Sequence, residues 1–438
     1  MPIILTLLAG LYQANAQVAF APATNYGVGR SPVSVVAADV NGDGKVDLIC
    51  ANSVSDTLVV LTHNGTGVFG SNATYAVGGE CDFVVAADVN GDGKVDLVCN
   101  VRTEEFNSPG TLAVFTNNGS GVFVLASSPV VGNLPYSVTA ADIYGNGQLA
   151  LVVANPNDSG TVTVLTNSGN GIFSSNATYA VGGQPQCVLA ADVNDDGYVD
   201  LITANLGGTL TVLTNNGNGV FGSNATYPVG RGPLCVTAAD VNGDGYVDLI
   251  TANGSDNTLS VLTNNGSGVF GSNATYAVGD DPAWVTAADV NGDGKVDLIC
   301  ANWNDNTLSV LTNNGSGGFV LAVTCAVGEN PRSVTAADVN GDGMVDLICA
   351  NQHATPVGSY GTLSVLFNLP TLAINSSSNS VNVSWPSCWT NWTLEQNSDL
   401  TTTNWSASGG INDISNTLNT LIITNPPPGN FFFRLTFP

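Results

Sequence analysis

Asp39, Asn41, Asp43 and Asp47 stand at positions 1, 3, 5 and 9 of the stretch Asp39-Val-Asn-Gly-Asp-Gly-Lys-Val-Asp47. Alternate oxygen-bearing side chains on a curled backbone converge on one point. Gly44 at position 6 permits the sharp bend, and the carbonyl of Lys45 at position 7 adds an oxygen. Hard oxygen donors in a flexible loop suit Ca2+, whereas zinc or copper would require nitrogen or sulfur. A helix-flanked calcium loop closes with Glu at position 12, where this stretch has Cys50. The flanks Ser34–Ala38 and Leu48–Ala51 are β-type in pattern. The loop is therefore expected between two strands, with the position 9 carboxylate closing it.

The stretch recurs. Its equivalents are Asp88, Asn90, Asp92 and Asp96 with the Lys94 carbonyl; Asp192, Asn194, Asp196 and Asp200 with Tyr198; and Asp240, Asn242, Asp244 and Asp248 with Tyr246. Asp289, Asn291, Asp293 and Asp297 with Lys295, and Asp338, Asn340, Asp342 and Asp346 with Met344, complete six intact copies. Asp, Asn and Gly also dominate turns that bind nothing, but six copies with the same oxygen positions favour metal. A worn copy, Asp142–Ala150, has Tyr144, Asn146 and Ala150 at the ligand positions and is expected to serve only as a turn. The seven first aspartates lie 49, 54, 50, 48, 49 and 49 residues apart. A fixed period of this size marks a solenoid, a propeller or an array.

The full unit carries F-G-S-N-A-T-Y-A-V-G, V-T-A-A-D-V-N-G-D-G-x-V-D-L-I-x-A-N and T-L-S-V-L-T-N-N-G-x-G in order. It resembles the FG-GAP/VCBS repeat of integrin α-subunit heads and many secreted bacterial proteins, over about residues 18–368. The resemblance implies that each repeat is one propeller blade and that the aspartate loop binds calcium in six of them.

Each period offers four strand-like segments, in the sixth Trp284–Ala288, Leu298–Ala301, Thr307–Leu311 and Phe319–Val327. Seven such units predict an all-β fold, a seven-bladed β-propeller of four-stranded blades over residues 17–369. One extra strand, Val18–Val28, precedes the first loop, and the seventh unit has only three, ending at Leu363–Asn368. The N-terminal strand is therefore expected to complete the last blade and close the ring. From Pro370 the period ends, and Thr371–Asn375, Ser380–Trp385, Thr393–Gln396, Trp405–Ala407, Thr420–Thr424 and Phe431–Phe437 read as strands of a small β-sandwich over residues 370–438.

Only 8 basic residues face 34 acidic ones, and positions 1, 5 and 9 of the intact loops hold 18 of the acids. Most of the net charge of −26 is thus metal-site charge, and nucleic acid is not an expected partner. The apolar run 3–12 followed by Ala14-Asn-Ala16 reads as a signal-peptide-like segment over residues 1–16, with a buried first strand as the alternative. No later run is apolar and long enough to form a transmembrane helix. A secreted, extracellular or cell-surface location is expected. Cys50, Cys99, Cys300 and Cys349 take one place in four blades, too far apart to bridge, and read as buried thiols.

No nucleophile elbow, zinc signature or phosphate loop occurs, and the histidines, His63 and His353, lie in different units. The chain is read as not an enzyme. Strand order puts the loops carrying Arg30, Arg102, Arg231, Arg332 and Trp303 on the face opposite the aspartate loops. There the arginines either bind an acidic glycan or protein carboxylate, or merely neutralise Asp280, Asp281, Glu104 and Glu105. The expected function is a non-catalytic, calcium-binding extracellular adhesion or interaction protein, whose partner is a glycan or an extracellular protein. Two alternatives remain: a fibre subunit joined head-to-tail to copies of itself, and a calcium-dependent polysaccharide lyase or hydrolase.

Overall fold

The computed structural model describes residues 18–64, 67–103, 108–156, 159–271, 274–352 and 360–369, together with short strands outside these ranges. Seven sheets follow the repeat. The first blade pairs Pro32–Ala38, Asp47–Asn52, Thr57–His63 and Phe69–Ala76 in sequence order, every pair antiparallel. The sixth pairs Pro282–Ala288, Asp297–Asn302, Thr307–Asn313 and Phe319–Ala326 in the same way. The second departs from the pattern: its outer edge is divided into Phe123–Ser127 and Val130–Asn133, both against Pro109–Asn117.

The ring closes as the terminal strand count required. Thr24–Gly27 pairs antiparallel with Thr362–Leu366, so the N-terminal strand is the outermost of the seventh blade. Ala21 N donates to Phe367 O at 2.8 Å, and Ser364 Oγ to Asn25 Oδ1 at 2.6 Å. On the inside, the first strand of the seventh blade lies against that of the first, where Val35 N donates to Ser333 Oγ at 3.0 Å.

The second strand of every blade is buried from end to end, as in Asp47–Asn52, and the third buries four consecutive residues, as in Leu58–Leu61. The cores sit between blades. Val35, Leu48, Leu61 and Phe69 of the first blade pack with Val339, Ile348, Leu363 and Val365 of the seventh. Each such side chain contributes about 1.5–3 kcal/mol on burial. Tyrosines on outer strands lock neighbours further: Tyr26 packs edge-on against Phe69 at 5.5 Å, and its hydroxyl donates to Gly67 O at 3.3 Å.

The eight described cysteines are buried and free. Burial pushes the thiols of Cys50, Cys300 and Cys349 up, out of the range of reactive thiolates. Cys388 falls outside the described residues.

Beyond the propeller the C-terminal segment forms two further sheets. Ala373–Ser376, Ser380–Pro386, Leu418–Thr424 and Asp413–Ile414 make one. Thr393–Asn397, Ser406–Ala407 and Phe432–Thr436 make the other, with Leu5–Thr6 added antiparallel to Phe432–Phe433. Consecutive antiparallel strands alternate direction, so the aspartate loops, between first and second strands, share one face of the wheel. The loops between second and third strands share the other.

Candidate functional site

In the first aspartate loop the side chains fold the backbone around themselves. Asp39 Oδ1 accepts from Gly42 N at 2.7 Å and Asp39 Oδ2 from Gly44 N at 2.8 Å. Asn41 Oδ1 accepts from Asp43 N at 2.9 Å, and Asp43 Oδ1 from Lys45 N at 3.0 Å. Gly44 has φ +80°, the left-handed bend that position 6 demands. The same four bonds recur in four other intact loops, as from Gly294 N to Asp289 Oδ2 at 2.7 Å and from Gly343 N to Asp338 Oδ2 at 2.8 Å, and the Asp192 loop, with Asp195 at position 4, repeats three of them.

The position 9 carboxylate has a different setting. Asp47 Oδ2 accepts from Val40 N at 3.2 Å and Oδ1 from His63 N at 2.8 Å, tying the loop to the end of the third strand. Asp47, Asp96, Asp200, Asp248, Asp297 and Asp346 are each 0% exposed. Among the described residues none of them has a basic partner: Lys45, Lys94 and Lys295 pair with the exposed position 5 aspartates Asp43, Asp92 and Asp293. Burial pushes the carboxyls of Asp47, Asp96 and Asp248 up from the ordinary Asp value, Asp200 to about 6, Asp297 to about 7 and Asp346 to about 8.

Six buried, unpaired carboxylates are costly unless a cation joins them. Among the described residues no group of three His, Cys, Asp or Glu side chains alone could hold an ion. The aspartate oxygens instead accept amide protons, and each carboxylate keeps acceptor capacity beyond those bonds. Completing a site also takes Asn41 and the Lys45 carbonyl or their equivalents, an all-oxygen set that fits Ca2+. The worn loop provides the contrast. Asp142 still accepts from Asn146 N at 3.1 Å and Gly147 N at 2.7 Å, but Ala150, 1% exposed, replaces the closing carboxylate.

One set of functional side chains escaped the motif. Asparagines ending the third strands clamp successive aspartate loops together. Asn117 Nδ2 donates to Val40 O of the first blade at 2.7 Å and to Val95 O of its own loop at 2.8 Å. Asn167, Asn215, Asn264, Asn313 and Asn368 repeat both bonds. The recurrent Thr-Asn-Asn or Thr-Asn-Ser at the third-strand ends of blades two to six was the available signal, and it reads as a turn until the neighbouring blade is in place.

The opposite face separates the arginines. Arg102 faces Asp82 through Nε and Glu80 through Nη2 at 2.9 Å, and Arg231 Nε meets Asp256 at 2.7 Å. These pairs answer to the neutralising reading, with partners other than those the sequence suggested; Glu104 and Glu105 fall outside the described residues, as does His353. Arg30 is exposed, on the loop that precedes Pro32–Ala38. Arg332 is not in a loop, as expected from sequence, but is the second residue of the strand Pro331–Ala337, because pairing with Asp346–Asn351 begins at Pro331. Its guanidinium lies 5.1 Å from the Trp303 ring centroid and 6.0 Å from that of Tyr136, whose hydroxyl it also bonds.

Arg102, Trp303 and Arg332 thus converge on the mouth of the central channel, whereas Arg231 and Arg30 do not. The mouth is a cavity of about 440 Å3, to which every blade contributes one residue at the same register. Those residues are Val33, Asp82, Tyr136, Gln186, Leu234, Ala283 and Arg332, each six positions before a loop's first aspartate. Phe83 and Trp284, 5.6 Å apart across the axis, form its floor.

The profile described as FG-GAP-like repeat matches residues 39–99, 142–203, 192–251, 240–300 and 289–349, over half of the chain. No curated protein matches the sequence. Among solved structures, BBS1N in complex with ARL6DN, soaked with lead, is 13% identical with a TM-score of 0.55, covering 80% of this chain and 96% of that one. The mercury-soaked form gives 12% and 0.54, over 80% and 97%. An Agrocybe aegerita lectin, described as recognising non-reducing terminal N-acetylglucosamine, is 23% identical at a TM-score of 0.46, over 67% and 80%. At 12–13% identity the likeness to the two BBS1N structures concerns the fold. With five matched repeats on a wheel of seven four-stranded blades, the chain belongs to the FG-GAP-like repeat family.

Proposed function

We propose that the protein is a calcium-stabilised, non-catalytic extracellular module that binds a glycan or another protein through the face opposite its aspartate loops. One contrast carries the reading. The seven blades come from one repeat, and on one face they keep six near-identical oxygen loops. At the axial mouth the same register holds seven different residues, from Val33 to Arg332. A position constrained only by packing repeats with the blade; one specialised for a ligand diverges.

Calcium, when bound, supplies the positive charge that lets the three carboxylates of a loop lie together. The chain's own residues do the rest: Asn41 and its equivalents shape the loop, Asp47 and its equivalents join it to the third strand, and the clamping asparagines pass the restraint to the next blade. Chelation followed by thermal melting tests the metal. A melting temperature unmoved by chelator at neutral pH counts against it. A glycan array tests the binding face, using the chain with Arg30, Arg231 and Arg332 changed to Ala as control; equal binding by that variant removes the face from consideration.

A second reading, a fibre subunit, is favoured by one contact. Leu5–Thr6 adds to the sheet edge at Phe432–Phe433, a backbone pairing that a neighbouring copy's N-terminal segment could make equally. Electron microscopy of native material separates the two, since uniform single particles at high concentration exclude the fibre.

A further inference from the structure

We infer that the axial mouth is a receptor for one carboxylate carried on a hydroxylated ring, the chemistry of a terminal acidic sugar. The inference rests on the binding-module reading and adds the ligand class to it. Three observations meet here. First, the two arginines of the mouth are not equivalent. Arg102 is occupied by Asp82 and Glu80, whereas among the described residues no carboxylate pairs with Arg332. Its contacts are the Trp303 and Tyr136 rings and the Tyr136 hydroxyl, and Tyr136 belongs to the third blade, across the channel from the seventh. Nη2 donates one hydrogen to the Tyr136 hydroxyl, and the remaining in-plane donors still offer a fork that receives a carboxylate through two hydrogen bonds.

Second, apart from the Arg102–Asp82 pair, the rest of the lining is apolar or neutral. Phe83 and Trp284 close the floor, and Gln186, Gln352 and Ser53 add amides and a hydroxyl that pair with ligand hydroxyls. About 440 Å3 lies in the range of small-molecule sites. Aromatic walls beside a few polar groups suit a ring with apolar faces and hydroxylated edges. Third, the charge balance limits the ligand to a single negative charge. Asp82 and Glu80 already stand at the mouth, and the chain carries a net charge of −26. A peptide rich in acids would be repelled; one carboxylate set against Arg332 would not.

The test is titration calorimetry of the full chain in calcium buffer with sodium glucuronate, glucose and N-acetyl-glycine, a peptide-like single carboxylate, alongside tryptophan fluorescence. Glucuronate is expected to bind and to change the fluorescence of Trp303 and Trp284, with glucose at least about tenfold weaker. Arg332→Gln is expected to weaken glucuronate at least about tenfold, and Arg332→Lys, which keeps the charge without the fork, nearly as much. The lysine variant decides the matter if the glutamine variant melts at a lower temperature than the parent. Glucose bound as well as glucuronate, or either variant binding glucuronate like the parent, overturns the inference. Equal binding of N-acetyl-glycine also overturns it, in favour of a peptide carboxylate. If glucuronate fails while the glycan array finds a ligand that the arginine variants lose, the ligand class is wrong and the binding-module reading stands. If the array is blank as well, both fall.

Discussion

His63 stands in the first blade where Asn117 stands in the second. Both backbone amides donate to the closing aspartate of their own loop, at 2.8 Å to Asp47 and 2.8 Å to Asp96. The side chains then part. Asn117 bridges two loops, whereas His63 accepts from Gly67 N at 2.8 Å through Nε2 and leaves Nδ1 buried without a partner. The clamp present at the six other junctions is therefore missing where the chain closes on itself, between the seventh blade and the first.

Supplying that amide should strengthen the seam. His63→Asn is expected to stabilise the calcium-loaded protein by about 1–2 kcal/mol, from a bridging hydrogen bond gained and a buried unsatisfied nitrogen removed. Chemical denaturation followed by tryptophan fluorescence measures it. A variant no more stable than the parent would show that Tyr26, the Val35–Ser333 hydrogen bond and the shared core hold the seam without a clamp.

Asp297→Asn is expected to change sign with metal. In chelator it removes a buried unpaired charge and keeps an acceptor for Val290 N or Asn313 N, so the variant should be more stable by on the order of 1–3 kcal/mol. With calcium saturating, the same change removes a ligand and should lower stability. Paired melts in the two buffers decide it; the same sign in both would argue against an ion at this loop.

The pH dependence follows from the same carboxyls. Asp200, Asp297 and Asp346 have folded-state values pushed up to about 6, 7 and 8, chiefly by burial. A raised carboxyl binds more protons folded than unfolded, so its ionisation opposes folding as pH climbs from the unfolded value through the folded one. Between about pH 5 and about pH 8 the metal-free protein should melt at lower temperature as pH rises. Saturating calcium should reverse the slope, because protons compete with the ion for these oxygens. Parallel slopes with and without calcium would contradict this account.

The worn loop offers a gain-of-function check. Changing Tyr144 to Asn, Asn146 to Asp and Ala150 to Asp restores the missing donors on a turn whose Asp142 bonds already match the others. Calcium stoichiometry by calorimetry should rise by one. The Tyr144 hydroxyl, which accepts from Asn176 at 2.8 Å, is removed by the same change, so unchanged stoichiometry would mean that the restored oxygens do not suffice to hold an ion on this turn.

Much of the architecture could be read before any coordinates. Alternation and period are local properties of a strand and a repeat, so the seven blades, Thr24–Gly27 as the closing strand and the C-terminal strands such as Ser380–Pro386 follow from the chain alone. The oxygen loops were legible for the same reason, since each is nine consecutive residues whose geometry is set by its own side chains and glycines. What only the tertiary structure decided are contacts between residues far apart in sequence. Asn117 reads as a turn residue until Val40 of the neighbouring blade lies 2.7 Å away. Four exposed-looking arginines become three kinds of group once Arg102 and Arg231 find their carboxylates and Arg332 finds Tyr136, 196 residues earlier. A charge acquires its role from whatever is brought within a few ångströms of it, and here ring closure sets those neighbours.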